Sequence, residues 1–467
     1  MDGGTALTKP LRIGIVAPPL VRIPPKGYAG TERVVAAIAI GLHERGHEVT
    51  VFASGDSDLP CAVVPVVPHS LWSRNLKGDL TAYLEMSVAL AWEQAARFDV
   101  IHSHVEQAGF LMARHCGTPV LSTLHKRVDV GGVAELIDLM PDVPLVAISE
   151  SQRRWNPDAN WIATIHHGLD FTHTPMSPNP GGYLLLVGRV SHDKGIVEAI
   201  EVARRTGMRL VMAAKVYDRE EIDLFEAVVK PAIAEGIVDW RGEVDGEERD
   251  RLMAGAYATL MLGAWPEPFG LVAIESMATG TPVIARRAGG VTETVEHGLS
   301  GYLVDDVHEA ILAIDRVAGL RRERIAAYAR GRFSVERMLS RYEQAYLKLL
   351  EQKVPAEALP EPKVAVGPGR EAAPNASAVS AASKRTVGAS RAADAGGTVR
   401  IAPVADLGRA RRHRSVARES ERREAERVEQ AGLLDGASGL DGHGTEGADG
   451  VGRASVALPG AKERTAG

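Results

Sequence analysis

Short apolar runs alternate with helical patterns along most of the chain, from about residue 11 to residue 350. Runs of strand length form two series, at 12–17, 48–53, 100–103 and 119–124, and then at 183–188, 209–214, 256–263 and 282–285. Helical patterns lie between them, for example at 31–45 and 195–206. Apolar strands that alternate with helices indicate parallel sheets with crossover helices. The pattern therefore predicts an α/β fold.

A turn-rich segment separates the two series. Residues 171–182 contain three prolines and end in Gly181 and Gly182, a composition typical of a linker. We therefore predict two α/β halves, at residues 1–174 and 181–331, followed by a final helix within 332–352.

Composition narrows the class of protein. A chain of 467 residues is too long for one ordinary domain, and its net charge of −6 argues against a chain-wide basic surface for nucleic acid. Cys61 and Cys116 are its two cysteines, so no disulfide framework is expected. The polar start predicts no signal peptide, and no apolar stretch is long enough to span a bilayer. We expect a cytoplasmic protein.

The last part of the chain, residues 353–467, has a different character. It is rich in Ala, Gly, Pro, Ser and charge and has almost no aromatic residues. Such a segment buries too little apolar surface to offset the entropy of ordering, so we predict a low-complexity, disordered tail. Residues 409–427 could form a highly charged helix, either solvated or acting as an arm for a partner or nucleic acid.

The most informative segment is E-P-F-G-L-V-A-I-E-S-M-A-T-G-T-P-V-I-A, residues 267–285. Glu267 and Glu275 stand eight residues apart, a spacing that chance alone also produces. Between them lie a loop and the first turns of an apolar helix, and a buried strand follows. A helix that begins at the end of a sheet directs its free N–H groups toward an anion.

Two cations follow the first strand of the second half. The loop G-R-V-S-H-D-K-G, residues 188–195, places Arg189 and Lys194 where both can address one pyrophosphate, Arg bidentately and Lys as a point charge. The end of a strand is also where open α/β sheets bind ligands. The alternative is an ordinary surface loop with two cations.

A glycine-containing loop follows the first strand of the chain. Residues 24–34 include Gly30, which allows close backbone approach, and Thr31, which could cap the next helix. The loop lacks the G-x-G-x-x-G spacing of dinucleotide-binding proteins. A purely structural strand-to-helix turn is the alternative.

Several histidines lie at strand ends of the first half. His102 and His104 occur in V-I-H-S-H, and His125 follows P-V-L-S-T-L. A metal site would need a third ligand at suitable spacing, and none is evident. A histidine at the carboxyl end of a parallel strand can instead hydrogen-bond a ligand in the cleft. We interpret His102 and His104 as core or cleft-wall residues, and His166 and His167 as structural.

Together these motifs resemble the retaining glycosyltransferases of family 4, which have the GT-B fold. The resemblance covers about residues 11–350 and implies two Rossmann-like domains whose parallel sheets face each other across a cleft. It implies an acceptor-side domain at 1–174, a nucleotide-sugar-binding domain at 181–331, and a C-terminal helix at 332–352 that packs back toward the first domain.

The resemblance also implies roles for individual residues. Catalytic roles fall to His125, Arg189, Lys194 and Glu267. Donor-binding roles fall to Gly30, Phe269, Gly270, Leu271, Val272 and Glu275, with Glu275 accepting hydrogen bonds from the ribose. The turn at 288–293 is assigned to packing, and the backbone of 240–243 to contacts that select the nucleotide.

The activity implied is that of a metal-independent, retaining hexosyltransferase. It would need no cofactor and would use a nucleoside-diphosphate sugar as co-substrate, with a glycan, a lipid or a small molecule as acceptor. Peripheral contact with a membrane surface is left as an open alternative, and binding to nucleic acid is not expected. Two alternatives are a non-catalytic member that binds a nucleotide sugar or glycan, and a GT-B sugar-nucleotide epimerase.

Overall fold

Two parallel sheets organise the part of the chain that this computed structural model describes, residues 9–352 without 28, 75, 77 and 78. The strands are β1 (Arg12–Val16), β2 (Glu48–Ser54), β3 (Ala62–Val67), β4 (Val100–Ser103), β5 (Val120–Thr123), β6 (Leu145–Ala147), β7 (Trp161–Thr164), β8 (Tyr183–Arg189), β9 (Arg209–Lys215), β10 (Val238–Trp240), β11 (Ala258–Met261), β12 (Val283–Arg286) and β13 (Gly301–Val304).

Helices connect the strands of both sheets. They are α1 (Gly30–Glu44), α2 (Thr81–Glu93), α3 (Phe110–His115), α4 (Val133–Leu139), α5 (Glu150–Arg153), α6 (Ile196–Thr206), α7 (Arg219–Leu224), α8 (Lys230–Ala234), α9 (Gly246–Gly255), α10 (Leu271–Ala278), α11 (Val291–Thr294), α12 (Val307–Val317), α13 (Arg322–Arg332) and α14 (Val335–Glu351). A π-helical turn, Phe225–Val229, joins α7 to α8.

Both sheets have the same strand order. The first runs β3-β2-β1-β4-β5-β6-β7 and the second β10-β9-β8-β11-β12-β13, and the paired strands are parallel. The direction in which successive strands are added reverses once in each sheet. In the first sheet this happens between β1 and β4, and in the second between β8 and β11. Open α/β sheets bind ligands outside the carboxyl ends of the strands at such reversals. The predicted α/β class with two parallel, Rossmann-like sheets is confirmed.

The strands that the apolar pattern did not predict are short, polar or at the sheet edges. They are β3, β6, β7, β10 and β13, and four of them have only three or four residues. A short run bounded by turns gives too few positions for its periodicity to stand out. The predictions for residues 353–467, including the charged helix at 409–427, lie outside the described residues.

The last helix, α14, packs into the hydrophobic core of the first half. Tyr342, Tyr346, Leu339 and Leu349 of α14 are buried in the same cluster as Ile13 of β1. The preceding helix α13 contributes instead to a cluster with α10 and β12. The chain therefore leaves the second sheet at α13 and returns to the first at α14. The exact domain boundaries stay predictions.

A buried arginine connects the linker to the second half. Arg322 is 5% exposed, and its guanidinium donates to the carbonyl oxygens of Ser177 at 2.7 Å, Ala254 at 2.8 Å and Ala256 at 3.0 Å. It also contacts the Thr281 hydroxyl. These bonds satisfy both the cation and carbonyl groups that water cannot reach.

We expect Arg322→Ala to lower the free energy of unfolding by roughly 3 kcal/mol, because it leaves several buried carbonyls without donors. Urea unfolding followed by circular dichroism measures this. Arg324→Ala, on the exposed side of the same helix, is the matched control and should change stability by less than about 0.5 kcal/mol. Equal effects of the two changes would contradict the structural role of Arg322.

Candidate active site

The loops after β8 and β11 meet where the order of the second sheet reverses. Gly195 adopts a left-handed φ of 71°, and a Cβ there would collide with the backbone of Gly263. A Cβ on Gly263 would in turn collide with the carbonyl of Asp193. The two loops can approach this closely only because both positions are glycine. Their approach brings Lys194 into contact with Glu267.

Arg189 lies beside this pair at the end of β8. Its guanidinium is 2.8 Å from Glu221, and both Arg189 and Lys194 lie 3.9 Å from the Asp193 carboxylate. The two cations thus share one short loop, as the sequence predicted, although Glu221 was not foreseen as a partner. Their roles toward a diphosphate stay predictions.

The loop after Glu267 leads directly into α10. Gly270 has a φ of 90° and precedes the first helical residue, Leu271, while Phe269 is buried. The amide of Gly290 donates to the carbonyl of Glu267 at 2.6 Å. Residues 288–293 therefore hold the loop in shape, which is the packing role predicted for them. The N–H of Ala273 donates to the carbonyl of Gly270 at 3.0 Å, whereas the N–H groups of Leu271 and Val272 precede any acceptor within the helix.

Glu275 is buried on the next turns of α10 and faces two arginines. Arg33 of α1 contacts its carboxylate, and the Nε of Arg249 lies 3.4 Å from it. Burial would raise the pKa of Glu275, but the charges of Arg33 and Arg249 and the bond from Arg33 outweigh it and lower that pKa. Since Arg33 lies in the first half, this ion pair crosses the cleft. Neither arginine was assigned a role from the sequence, although Arg33 lies within the segment 24–34.

The glycine loop of the first half reaches the same helix. Gly30 is the first residue of α1, and a Cβ on it would lie 3.3 Å from the side chain of Leu271. Gly30 and the start of α10 therefore lie opposite each other, and the donor-binding role of Gly30 stays a prediction. The predicted capping by Thr31 is wrong: Ala29 is the N-cap and Thr31 lies inside the helix. The helix begins earlier because Gly30 itself adopts the helical conformation.

Four histidines form a continuous column beside the cleft. The rings of His102 and His104 are 4.0 Å apart, those of His104 and His125 5.2 Å, and those of His125 and His167 5.2 Å. His104 Nδ1 and His125 Nε2 share a hydrogen bond of 2.9 Å. At the inner end, the Tyr346 hydroxyl of α14 lies 2.8 Å from His102 Nδ1. No group of three or more His, Cys, Asp or Glu within the described ranges is arranged to hold a metal ion.

Burial keeps the column neutral. It lowers the pKa of His102 and of His125 to about 3, and it lowers the pKa of His104 and of His167 well below the ordinary 6.5. Neighbouring histidines, and Lys126 beside His125, lower these values further. At neutral pH these rings can donate and accept hydrogen bonds but carry no charge.

A glutamate that the sequence reading missed positions His125. Both carboxylate oxygens of Glu106 accept the backbone N–H of His125 at 3.2 Å. Glu106 has a φ of 51°, an uncommon conformation for a residue with a side chain. Burial raises the pKa of Glu106 and the pKa of Glu32 in α1 to about 7. The positive charge of Lys126 partly offsets both shifts. Two weakly acidic carboxyls therefore flank one lysine on the first-half side of the cleft.

His166 joins the two halves. Its Nε2 lies 2.9 Å from Glu293 of α11, whose carboxylate also accepts the backbone N–H groups of Glu150 and Ser151. This agrees with the structural role predicted for His166. Glu293 acts as a cap for the short helix α5 of the first half.

Comparison with known families and structures gives one consistent result. The family model described as Glycosyltransferase Family 4 matches residues 28–175, and the model described as Glycosyl transferases group 1 matches residues 176–332. The chain belongs to the family 4, group 1 glycosyltransferases. The two matched segments together span every predicted site residue and all described strands except β1.

Individual relatives place the chain within this family. The D-inositol 3-phosphate glycosyltransferase of Mycolicibacterium smegmatis is 29% identical over 64% of this glycosyltransferase and 81% of its own length. The enzyme of that name from an Arthrobacter species is 27% identical over 72% and 94%. The crystal structure of AviGT4, a glycosyltransferase involved in avilamycin A biosynthesis, has 27% identity and a TM-score of 0.57, covering 73% of this chain and 99% of its own.

A more distant structure supports the fold alone. The Anabaena protein HepE, solved in complex with UDP and glucose, shares 20% identity with a TM-score of 0.57 over 72% of this chain and 98% of its own. In the described part of this glycosyltransferase, no helix combines the length and apolar character needed to cross a membrane.

We expect the stability of this glycosyltransferase to fall as the pH is lowered from 7 to 5.5. The unfolded chain binds protons on His102, His104, His125 and His167 below their ordinary pKa of 6.5, whereas the folded chain keeps them neutral. The stability that they contribute is therefore present above pH 6.5 and lost below it. Glu32 and Glu106 have raised pKa values and therefore favour the folded state as the pH falls, but these two carboxyls oppose four histidines.

The measurement is the urea midpoint at the two pH values. His102→Asn removes one neutral imidazole and should show a smaller decrease than the unmodified protein. A midpoint that is equal or higher at pH 5.5 would contradict the assignment of a neutral histidine column.

Proposed function

We propose that this glycosyltransferase is a metal-independent, retaining enzyme that transfers a sugar from a nucleoside diphosphate to an acceptor hydroxyl. The observation that carries the proposal is the meeting of Lys194, Glu267 and the start of α10 at the reversal point of the second sheet. A cation and free N–H groups at the carboxyl ends of parallel strands suit a diphosphate.

The donor phosphates would lie between Lys194, Arg189 and the first turn of α10. Lys194 and Arg189 are respectively 20% and 40% exposed on their side chains, so both are accessible to a ligand. As the glycosidic bond breaks, negative charge grows on the leaving diphosphate, and positioned cations stabilise it. Glu267 would then face the sugar, within reach of Lys194.

The nucleoside would lie toward Glu275. This carboxylate is held ionised by Arg33 and Arg249, which makes it a strong acceptor for ribose hydroxyl groups. The segment 240–243, at the end of β10, would contact the base through its backbone. Arg249 is added here to the residues expected from the sequence.

The acceptor would lie on the side of the first half. His125, with Glu106 behind it, together with Glu32 and the exposed Lys126, forms a polar wall that can bind hydroxyl groups. The relatives named as D-inositol 3-phosphate glycosyltransferases suggest inositol 3-phosphate as the first acceptor to test.

The proposed mechanism follows the family resemblance. The acceptor hydroxyl attacks from the face that the diphosphate leaves, and a donor phosphate oxygen takes its proton. The enzyme contributes positioning and stabilisation of the leaving group, and closure of the two halves excludes water. His125 is neutral and offers a hydrogen bond near the donor sugar rather than a charge.

Donor binding would require side-chain contacts in the crevice to open. The cavity lined by Lys194, Glu267 and Trp265 has a volume of about 20 Å³, whereas small-molecule sites commonly measure roughly 300–1,000 Å³. The Lys194–Glu267 contact lies within the second half and the Arg33–Glu275 contact crosses the cleft, and both involve groups assigned to the donor. The donor would replace these contacts with its own.

We expect one member of a panel of UDP, GDP, ADP and dTDP to raise the melting temperature of the protein, since a ligand that binds only the folded state stabilises it. The same nucleotide should stabilise Lys194→Ala far less. Lys230→Ala, which removes a lysine from an exposed surface pair, is the control and should respond like the unmodified protein. Stabilisation by none of the four would favour the loss of a donor site.

We expect Lys194→Ala to lower kcat by about 10²- to 10³-fold, the range found when one group that stabilises developing charge is removed. Transfer is measured with the donor found above and inositol 3-phosphate or another acceptor, and NMR of the product shows whether the anomeric configuration is retained. Near-normal transfer by Lys194→Ala would refute its role, and an inverted product would refute the retaining mechanism. Isomerisation of the nucleotide sugar without acceptor would favour the epimerase alternative.

A further inference from the structure

A second polar cavity lies behind the cleft, where α13 ends and α14 begins. Its volume is about 230 Å³, and its lining includes His166, His167, Arg332, Ser334, Arg337 and Arg341. The residues assigned to the donor and the acceptor do not line it. The cavity is therefore distinct from the active site proposed above.

Three arginines surround this cavity. Arg332, Arg337 and Arg341 are exposed, and within the described part of the chain none of them forms an ion pair. Arg341 reaches only the carbonyl of Thr164 at 3.5 Å, and Arg332 that of Glu293 at 3.4 Å. Three guanidinium groups gathered without carboxylates repel one another, and an anion between them would relieve that repulsion.

One of the residues that line this cavity, His167, has a buried atom without a hydrogen-bond partner. His167 is 3% exposed, and its Nδ1 has no hydrogen-bond partner in the described structure. Buried polar side-chain atoms rarely lack a partner, so a ligand that accepts or donates a hydrogen bond is an explanation for this one. Burial lowers the pKa of His167, which leaves a neutral ring that can donate one N–H.

Other groups near the cavity are already satisfied. The Ser334 hydroxyl accepts the N–H of Arg337 at 3.3 Å, and the N–H of Val335 donates to the carbonyl of Leu169 at 3.1 Å. Among the described residues, the Glu293 carboxylate contacts the lining residue His166 and is occupied by that ring and two backbone N–H groups. The arginines and His167 are thus the groups that would hold a ligand.

We propose that this cavity is a second binding site, specific for a phosphate group. Arginine presents forked donors that match phosphate oxygens bidentately, and three arginines with one imidazole N–H can surround a tetrahedral anion. The phosphate comes either from a small phosphorylated molecule in solution or from the headgroup of an anionic phospholipid. The proposal does not depend on the transferase mechanism.

The site is placed to influence the active site. The ring of His167 stacks on His125 at 5.2 Å and meets the edge of Phe269 at 5.0 Å. A phosphate bound to His167 Nδ1 would hold this ring, and with it His125 and the loop before α10. Ligand binding in this cavity would thus be coupled, through the ring of His167, to His125 and Phe269 at the proposed active site.

The first test is thermal unfolding in a phosphate-free buffer at constant ionic strength, with inorganic phosphate added. At ten times its Kd, phosphate should raise the melting temperature by about 2 °C. Lys194→Ala, which weakens the donor site, should keep this shift, and the double variant Arg337→Gln/Arg341→Gln should lose most of it. Arg324→Gln removes one exposed arginine of α13 outside the cavity and serves as the control for the loss of a surface arginine.

The second arm distinguishes the source of the phosphate. Sedimentation of the protein with phosphatidylcholine vesicles, prepared with or without phosphatidic acid, tests whether the site binds a lipid headgroup. Binding to phosphatidic acid that the double variant loses and Arg324→Gln keeps assigns the site to a lipid. A phosphate shift without vesicle binding assigns it to a soluble molecule. If the double variant matches Arg324→Gln in both assays, the proposal is wrong, whatever the transferase activity shows.

Discussion

The close approach of two loops at the reversal point of the second sheet is the constraint on which the active site depends. Strands β8 and β11 are neighbours, but their connections lead away in opposite directions, which leaves a crevice between the loops that follow them. The glycines at 195 and 263 let those loops touch through their backbones. Lys194 and Glu267 come together for this reason, although 73 residues separate them in the chain.

Around this crevice, burial controls the charge of the ionisable groups. Glu275 stays charged because two arginines compensate for its desolvation, whereas Glu32, Glu106 and the four histidines of the column are driven toward their neutral forms. A charged hydrogen-bond acceptor thus lies on the side proposed for the donor, and neutral hydrogen-bonding groups lie on the side proposed for the sugar acceptor. This division suits a reaction in which charge develops on the leaving diphosphate and not on the acceptor wall.

The return of α14 to the first half connects these features. Tyr346 supports the histidine column from within the first core, and the start of the same helix forms the arginine-lined cavity behind it. His167 lies between cavity and column. The ion pair between Arg33 and Glu275 and the hydrogen bond between His166 and Glu293 complete the links across the cleft. The two halves are therefore joined by polar contacts as well as by shared apolar packing.

The sequence by itself determined the fold class, the two series of strands and the local motifs, because hydrophobic periodicity and glycine-rich turns act over a few residues. It placed Arg189 and Lys194 on one loop and Gly30 on a cleft-facing turn, but it put the start of α1 one residue late. It missed Arg249 and Glu106, since neither belongs to a motif and each acquires its partner from a distant segment. Only the tertiary structure decided which buried carboxylates meet a cation, because desolvation and charge pairing depend on neighbours in space, not in the chain.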